Sequence, residues 1–498
     1  VATERKLTAL KKALFLSPPS FKGFDGAAGA RYPARREITS YWYPTWLAQP
    51  VAMIPGSRLI DAPSHGLSFE SVLQSAKEFE LVVISTSSPT LRSDILFVDA
   101  LKARNPSVEV SFVGAHVTVL PEETLKQAPN LDFVCRREYD YTCLELAQGA
   151  PYERVKGLSY RAGDGSVRHN PDRDFVENLD ELPSVLPVYH RDLVIENYFV
   201  GYLLHPFISF YTGRGCSARC TFCLWPQTLG GRRYRTRRPE AVVREVEEGK
   251  ALFPGAREWF FDDDTFTADP ARAVEISKGM KRLGLTWSCN ARANLDYETL
   301  RSLRNNGLRL LVVGFESGNQ QILNRIRKGV TLDTSRRFMQ HCRELGIKVH
   351  GTFIIGLPIE TRETIEKTIR FAQELDPYTI QVSIAAPFEG TDLHAEAVKN
   401  GWIDNGTLVA ENGIQMSTLH YPDLDVDEIE EAVERMYRRF YFRWKPILRM
   451  FREMATERHM LVRRLREGRE FLDYLHTRKR IGGHLSAAPG TCADDPRR

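Results

Sequence analysis

The chain has 498 residues, 42% of them hydrophobic and 27% charged, with a formal net charge of +4. This length holds about two or three domains with cores of their own, and the charge is too small for bulk binding to nucleic acid. No run of about eighteen uncharged apolar residues suggests a membrane span, and the opening VATERKLTALKKALFLSPPS is too charged for a secretory signal. Eight cysteines, three of them clustered, point to a reducing compartment and a metal site rather than disulfides, so the chain reads as cytoplasmic.

From residue 11 to 150, short apolar runs alternate with amphipathic stretches. KKALFLSPP, SRLIDAP, ELVVISTSS, VEVSFVGAH and LDFVCRRE have the make-up of strands buried on both faces, and FESVLQSAKEF and SDILFVDALKARNP have helical spacing. The alternation predicts an open, doubly wound, Rossmann-like α/β domain whose ligand crevice lies beyond the strand C-termini. Residues 151–205 are turn-rich and read as a connector with a small hairpin. A second series, residues 206–400, has strands in PFISFYT, EWFFDDD, TWSCNAR, RLLVVGFES, KVHGTFIIGLP and TIQVSIAAP. Six βα units with acidic, Gly or Arg residues at their strand ends predict a partial (β/α)6 barrel with its site on the C-terminal rim. Residues 401–480 read as a helical region. From 435 to 480 it holds fifteen Lys or Arg against five Asp or Glu, interleaved with Tyr437, Phe440, Tyr441, Phe442, Trp444 and Phe451. The tail, 481–498, has the composition of a disordered segment.

The segment GRGCSARCTFCLWPQ carries Cys216, Cys220 and Cys223 with no fourth cysteine or histidine nearby. Structural zinc asks for four ligands, usually in two separated pairs. An iron–sulfur cube held by three thiolates, with its fourth iron open to a small ligand, suits the spacing better; a zinc knuckle is the alternative. The triplet follows the first barrel strand. Later strand ends supply Asp262, Asp263 and Asp264, then Arg292, then Glu316 and Ser317, then Gly356. Carboxylates can bind an ammonium group and ribose hydroxyls, an arginine can pair with a carboxylate, and a glycine lets an adenine approach backbone.

With Phe222 before the last cysteine, this pattern resembles the radical S-adenosylmethionine (SAM) superfamily. The resemblance implies a [4Fe–4S] cluster on Cys216, Cys220 and Cys223 whose open iron is chelated by SAM. It also implies a 5′-deoxyadenosyl radical that abstracts hydrogen from an unactivated carbon, and a flavodoxin- or ferredoxin-type electron donor. Phe222 would lie against the adenine, one of the three aspartates would meet the SAM amino group, Arg292 the carboxylate, and Glu316 with Ser317 the ribose. Two departures bear on loop shape: Ile359 stands where relatives have Gly, and Glu389 where they have Pro.

The first domain resembles the cobalamin-binding module of the same superfamily. VGAHVTVLPEE supplies Gly114, His116 and Thr118, and DAPSHG supplies Asp61, His65 and Gly66, with the histidine two positions late for a cobalt ligand. Two readings stay open: a corrin crevice, or a domain that only caps the barrel with hydrogen-bonded loop histidines.

Nearly the whole chain, through CTFCLWPQTLGGRRYRTR, FLSPPSFKGFDG, YWYPTWLAQP and ENGIQMSTLHYP, resembles the hopanoid-biosynthesis-associated radical SAM family. That implies a hopanoid lipid substrate and cyclitol ether synthase-like ring contraction of its amino-sugar head group. The basic, aromatic C-terminal segment would then touch a membrane surface peripherally, against the alternative of an ordinary helical cap. The main rival is a cobalamin-dependent radical SAM methylase acting on a lipid or small metabolite. An RNA methylthiotransferase would need a further cysteine triplet, and a non-catalytic zinc protein would carry no iron. No nucleic-acid partner is expected, and no acid or base residue is assigned.

Overall fold

A computed structural model describes residues 10–19, 29–30, 34–404, 406–456 and 458–485. Seven strands form the first sheet: β1 (Ala13–Ser17), β2 (Arg58–Asp61), β3 (Leu81–Ser85), β4 (Glu109–Val113), β5 (Phe133–Cys135), β6 (Leu158–Arg161) and β7 (Val167–His169). Their order is β2-β1-β3-β4-β5-β6-β7. The first five run parallel, and their apolar runs are buried because helices cover both faces. The strand order reverses between β1 and β3, which puts a topological switch point, the usual ligand crevice of such sheets, at the ends of those strands.

The small hairpin expected in the connector is present as β6 and β7, but it pairs antiparallel with β5 and so extends the first sheet rather than standing apart. Next comes β8 (Phe207–Phe210), then a short antiparallel ladder of β9 (Gly213–Arg214) with β10 (Arg235–Thr236). The barrel strands continue as β11 (Glu258–Phe261), β12 (Trp287–Ala291), β13 (Leu308–Glu316), β14 (Lys348–Ile355) and β15 (Thr379–Ile384). They form an open six-stranded sheet in the order β15-β14-β13-β12-β11-β8, all parallel. All six strands fall where the sequence places them. One continuous hydrophobic core runs through both sheets, from Phe15 and Tyr43 to Phe353 and Tyr437.

The C-terminal region is helical only from Val426. Residues 401–425 are turns with isolated bridges, and the helices are Val426–Tyr441, Trp444–Thr456 and Arg458–Leu485. The last helix runs past 480, where the tail was expected to begin; residues 486–498 lie outside the described residues. Tyr437 and Tyr441 turn inward, and their hydroxyls accept the backbone N–H groups of Val382 and Ile380 at 2.9 Å each. These two rings thereby cap edge strand β15. Trp444 and Phe451, by contrast, are 75% and 61% exposed. No helix among the described residues is long and apolar enough to cross a membrane.

Candidate active site

The rim of the barrel encloses a cavity of about 380 Å³. Its wall includes Cys216, Cys220, Cys223 and Phe222 from the loop after β9, Asp262 and Asp264 after β11, Arg292 after β12, and Glu316 at the end of β13. None of the three cysteines is in a disulfide; two are buried and Cys223 is half-buried.

The loop is shaped by backbone constraints. Gly215 has φ +82°, and a Cβ there would stand 2.4 Å from the Arg233 carbonyl oxygen, so only glycine fits immediately before Cys216. Gln227 ties the other end: its Nε2 donates to the Cys223 carbonyl at 2.6 Å and its Oε1 accepts from Asp392 N–H at 3.0 Å. The Thr221 N–H donates to the Ile326 carbonyl at 3.1 Å. The thiols are thus held on a loop pinned at three places, with sulfur, the soft donor that suits iron–sulfur chemistry, facing a cavity. Among the described residues no three His, Cys, Asp or Glu side chains are gathered for a single metal ion. A cubane asks for a different arrangement, thiolates spread around its face.

The expected SAM contacts divide between the cavity and the interior. Asp262 and Asp264 face the cavity, while Asp263, between them, points the other way. Its carboxylate accepts from Thr212 N–H at 2.5 Å, Thr212 Oγ1 at 2.7 Å and Tyr234 Oη at 2.6 Å, and burial raises its pKa. The expectation that Asp263 touches SAM is therefore corrected: it is a buried anchor. Asp262 Oδ1 accepts from Asn290 Nδ2 at 3.0 Å.

Glu316 and Ser317 split in the same way. Glu316, with φ +64°, faces the cavity, and its Oε1 accepts from Lys328 Nζ at 2.7 Å. Ser317 is fully buried outside it, its Oγ 3.2 Å from Thr368 Oγ1 and accepting from Asn319 N–H. It shapes the loop rather than lining the cavity. A Cβ on Gly314 would stand 2.1 Å from Glu316 Oε1 and 2.8 Å from Lys328 Nζ, so the glycine of the G-x-E-S-G segment leaves room for this ion pair. Arg292 Nη2 donates to the Lys328 carbonyl.

Gly356 is also corrected. Its N–H donates to Glu360 Oε2 at 2.5 Å, its carbonyl accepts from Tyr421 Oη at 2.8 Å, and Ile429 covers its α-carbon. The neighbouring Ile354 and Ala385 line the cavity instead. Lys328, Thr265 and Gln415 also line it and were not anticipated. Their only local signal is weak, a Lys-Gly turn at Lys328 with Gly329 at φ +68°.

In the first domain, Gly114, His116 and Thr118 follow β4, beside the switch point. A Cβ on Gly114 would lie 2.3 Å from the Thr86 carbonyl oxygen, which brings the loops after β3 and β4 into contact. Thr118 Oγ1 donates to the Gly114 carbonyl at 2.9 Å, and His116 Nδ1 lies 2.9 Å from Ser88 Oγ. Burial lowers the His116 pKa, opposed by Glu389 across the domain boundary.

Asp61 ends β2, with His65 and Gly66 just after it, on the far side of β1 from the crevice. Asp61 Oδ2 accepts from Tyr198 Oη at 2.8 Å; His65 Nε2 accepts from Val194 N–H at 3.0 Å, and its Nδ1 lies 2.9 Å from Ser64 Oγ. Both ring nitrogens are used within the protein, so His65 does not fit a cobalt ligand. Gly114, His116 and Thr118 lie at the strand ends beside the switch point, where sheets of this kind bind ligands.

The two sites adjoin. Helix Ala115–Val119, next to the crevice, packs on helix Leu224–Thr228, which follows Cys223. Behind them Arg214 pairs with Asp140 at 2.7 Å and Arg235 with Glu138 at 2.6 Å, all four side chains buried.

Comparisons with known proteins agree with this architecture. Residues 210–372 match the radical SAM superfamily and residues 33–147 the B12 binding domain. The chain is 30% identical over 457 residues to an uncharacterized methyltransferase of Pyrococcus horikoshii, covering 88% of this chain and 94% of that protein. It is 26% identical over 427 residues to the anaerobic magnesium-protoporphyrin IX monomethyl ester cyclase of Rubrivivax gelatinosus, covering 81% and 75%. It is 28% identical over 312 residues to the hopanoid C-3 methylase of Methylococcus capsulatus, covering 59% and 56%. The cobalamin-dependent SAM radical enzyme OxsB, solved with aqua-cobalamin and SAM, superposes with a TM-score of 0.66 at 16% identity, covering 96% of this chain and 72% of that one. A match of this extent to one relative, with the two domain matches falling on the two sheets in turn, means that the chain belongs to the radical SAM superfamily, among members whose barrel follows a B12 binding domain.

Proposed function

We propose that the chain is a cobalamin-dependent radical SAM methylase acting on an unactivated carbon of a lipid or small metabolite. The observation that carries this reading is the packing of the crevice-side helix Ala115–Val119 on the helix that follows the third thiol, which sets the corrin end of one domain against the thiol loop of the other. When bound, the cluster and SAM supply a carbon-centred radical, and cobalamin supplies a methyl group. The chain's own residues do the positioning. Cys216, Cys220 and Cys223 hold the cluster. Arg292 orients the SAM carboxylate, Asp262 or Asp264 its ammonium group and Glu316 its ribose, with Phe222 against the adenine. Gly114, His116 and Thr118 border the corrin.

The ring-contraction reading drawn from the hopanoid resemblance receives less support, because the relatives' names include methyltransferases. One observation keeps it as the second reading: a cyclase also stands among those relatives, so the same architecture serves chemistry other than methyl transfer. A hopanoid-type lipid remains the substrate class we favour, with a methylase of such a lipid among the relatives. The exposed Trp444 and Phe451, set among basic residues, suit peripheral contact with an anionic membrane.

The test is anaerobic reconstitution with iron, sulfide and hydroxocobalamin, followed by assay of bacterial lipid extracts with [methyl-13C]SAM and a low-potential reductant such as reduced flavodoxin. A methylase yields a lipid carrying the label, with 5′-deoxyadenosine and S-adenosylhomocysteine formed together. Deoxyadenosine with an unlabelled, rearranged lipid would transfer the assignment to the second reading.

A further inference from the structure

A second cavity, of about 300 Å³, lies under the C-terminal helices. Packed interiors leave few voids larger than a water molecule, so a cleft of this size is a feature to be explained. Apolar surface dominates its wall, from Ile38, Val200 and Ile380 on the barrel side to Ile447 and Phe471 on the helices. Three of the charged groups on that wall pair with one another: Arg464 meets Glu453 at 2.7 Å and Glu467 at 2.6 Å. His350, whose ring stacks on Tyr202 with centroids 4.1 Å apart, is kept uncharged by burial, its pKa lowered to about 3.

This cleft is not separate from the active-site cavity. Arg36, Trp42, Tyr202 and Gln381 line both. The strand register explains why. His350 pairs with Thr379, Thr352 with Gln381 and Ile354 with Ser383, and alternate residues of β14 and β15 face the same side. His350 and Thr379 line the cleft, while Thr352, Ile354 and Ser383 line the active-site cavity, with Gln381 at the junction. One wall therefore runs through the barrel from its base to its rim, about 13 Å from His350 to Ile354 at the rise of a strand. At the base the cleft opens between Phe442, Met450 and Leu472, which line it and are 56%, 36% and 56% exposed. Arg449, which lies 3.8 Å from Asp376, lines the cleft on the same helix as Met450.

We infer that the cleft holds the hydrocarbon body of the enzyme's own substrate, which enters between the C-terminal helices and threads its polar end past Gln381 to the rim. This rests on the reading of the rim as the reaction site. It specifies an amphiphile whose reactive carbon lies at the polar end, more than about 13 Å from the far end of its apolar part. The exposed apolar side chains at the mouth suit contact with the acyl chains of a bilayer.

The test needs no turnover, so its outcome is independent of whether a methyl group is transferred. The reconstituted holoprotein is mixed with phosphatidylglycerol vesicles containing a diazirine-bearing palmitic acid, irradiated and digested, and the labelled peptides are mapped. Label is expected on the peptide holding residues 379–384 as well as on the helix Trp444–Thr456. Met450→Trp and Leu472→Trp, on two sides of the mouth, should each lower the β15 label at least about fivefold, while Met450→Leu keeps it. Iron and sulfide content equal to the parent's certifies that each variant is folded. Label confined to the outer helix face, or β15 label that survives both tryptophans, overturns the inference.

Discussion

Replacing Lys328 with methionine tests the ion pair on the cavity wall. Glu316 and Lys328 are 6% and 7% exposed and meet at 2.7 Å. The variant leaves a buried carboxylate without its cation, and breaking a buried pair from one side costs about 3–5 kcal/mol. The carboxylate borders a cavity that admits water, which places the loss near the lower figure. Glu316→Gln combined with Lys328→Met removes the stranded charge as well, and should lie within about 1.5 kcal/mol of the parent. Urea unfolding of the parent, both single variants and the double variant forms a double-mutant cycle, and the coupling should be favourable by at least about 1.5 kcal/mol. A Lys328→Met protein within about 1 kcal/mol of the parent, or a double variant as unstable as the sum of the singles, would show that the pair is not held as described.

Three further outcomes are expected. Burial pushes the Glu360 carboxyl up to about 8 from its ordinary 4.5, against N–H donation from Gly356 and Leu357. The folded chain then keeps a proton that the unfolded chain has lost, so this group's stabilisation is complete below about pH 4.5 and declines towards pH 8, by up to about 1.4 kcal/mol per unit in mid-window. Glu360→Gln should flatten that decline, and identical pH profiles for the two proteins would rule out a neutral Glu360. Ile359, at φ +64° and 48% exposed, holds a β-branched residue in the left-handed region. Ile359→Gly should stabilise the protein by about 0.5–1 kcal/mol, the relief of strain exceeding glycine's added freedom, and a lower unfolding midpoint would contradict this. Gly314→Ala drives a methyl group into Glu316 and Lys328 and should weaken SAM binding at least about tenfold in anaerobic equilibrium dialysis, with unchanged affinity counting against Glu316 as a SAM contact.

The strands were legible because a parallel sheet covered on both faces leaves apolar runs, as in LVVIS and the LLVV at the centre of LRLLVVGFE. The cluster loop was legible because three thiols in one short loop have few uses other than metal. What went unread was direction. Asp263 and Ser317 each neighbour a cavity-lining carboxylate, and the period of two sends them the opposite way. Applying that period to DDD and GFES would have kept Asp262, Asp264 and Glu316 and set the other two aside, although it fails at Thr265, which also lines the cavity. Lys328 was beyond reach of any period, since it arrives from a turn between helices and meets Glu316 only through the fold. The retained shape at Ile359 was equally hidden: the glycine-like backbone persists without the glycine, held by the surrounding loop.

The buried pairs Arg214–Asp140 and Arg235–Glu138 bear on how the two domains act together. The arginines belong to the ladder of β9 and β10 that frames the thiol loop, and the acids to the segment after β5 of the first domain. Burying four charged groups is poorly repaid in stability, since desolvation offsets most of the attraction. Their geometry offers something else. Each arginine meets both oxygens of its carboxylate, Arg214 at 2.7 and 3.2 Å and Arg235 at 2.6 and 2.9 Å, and a two-pronged contact sets orientation as well as distance. Arg214 also lies 4.6 Å from the centre of the Trp46 ring, so the ladder is gripped from two directions. The thiol loop is therefore registered against the crevice-bearing domain by contacts of the polypeptide itself. On the methylase reading proposed above, a group passes between cofactors on the two domains, and the buried charges supply the register that this transfer needs.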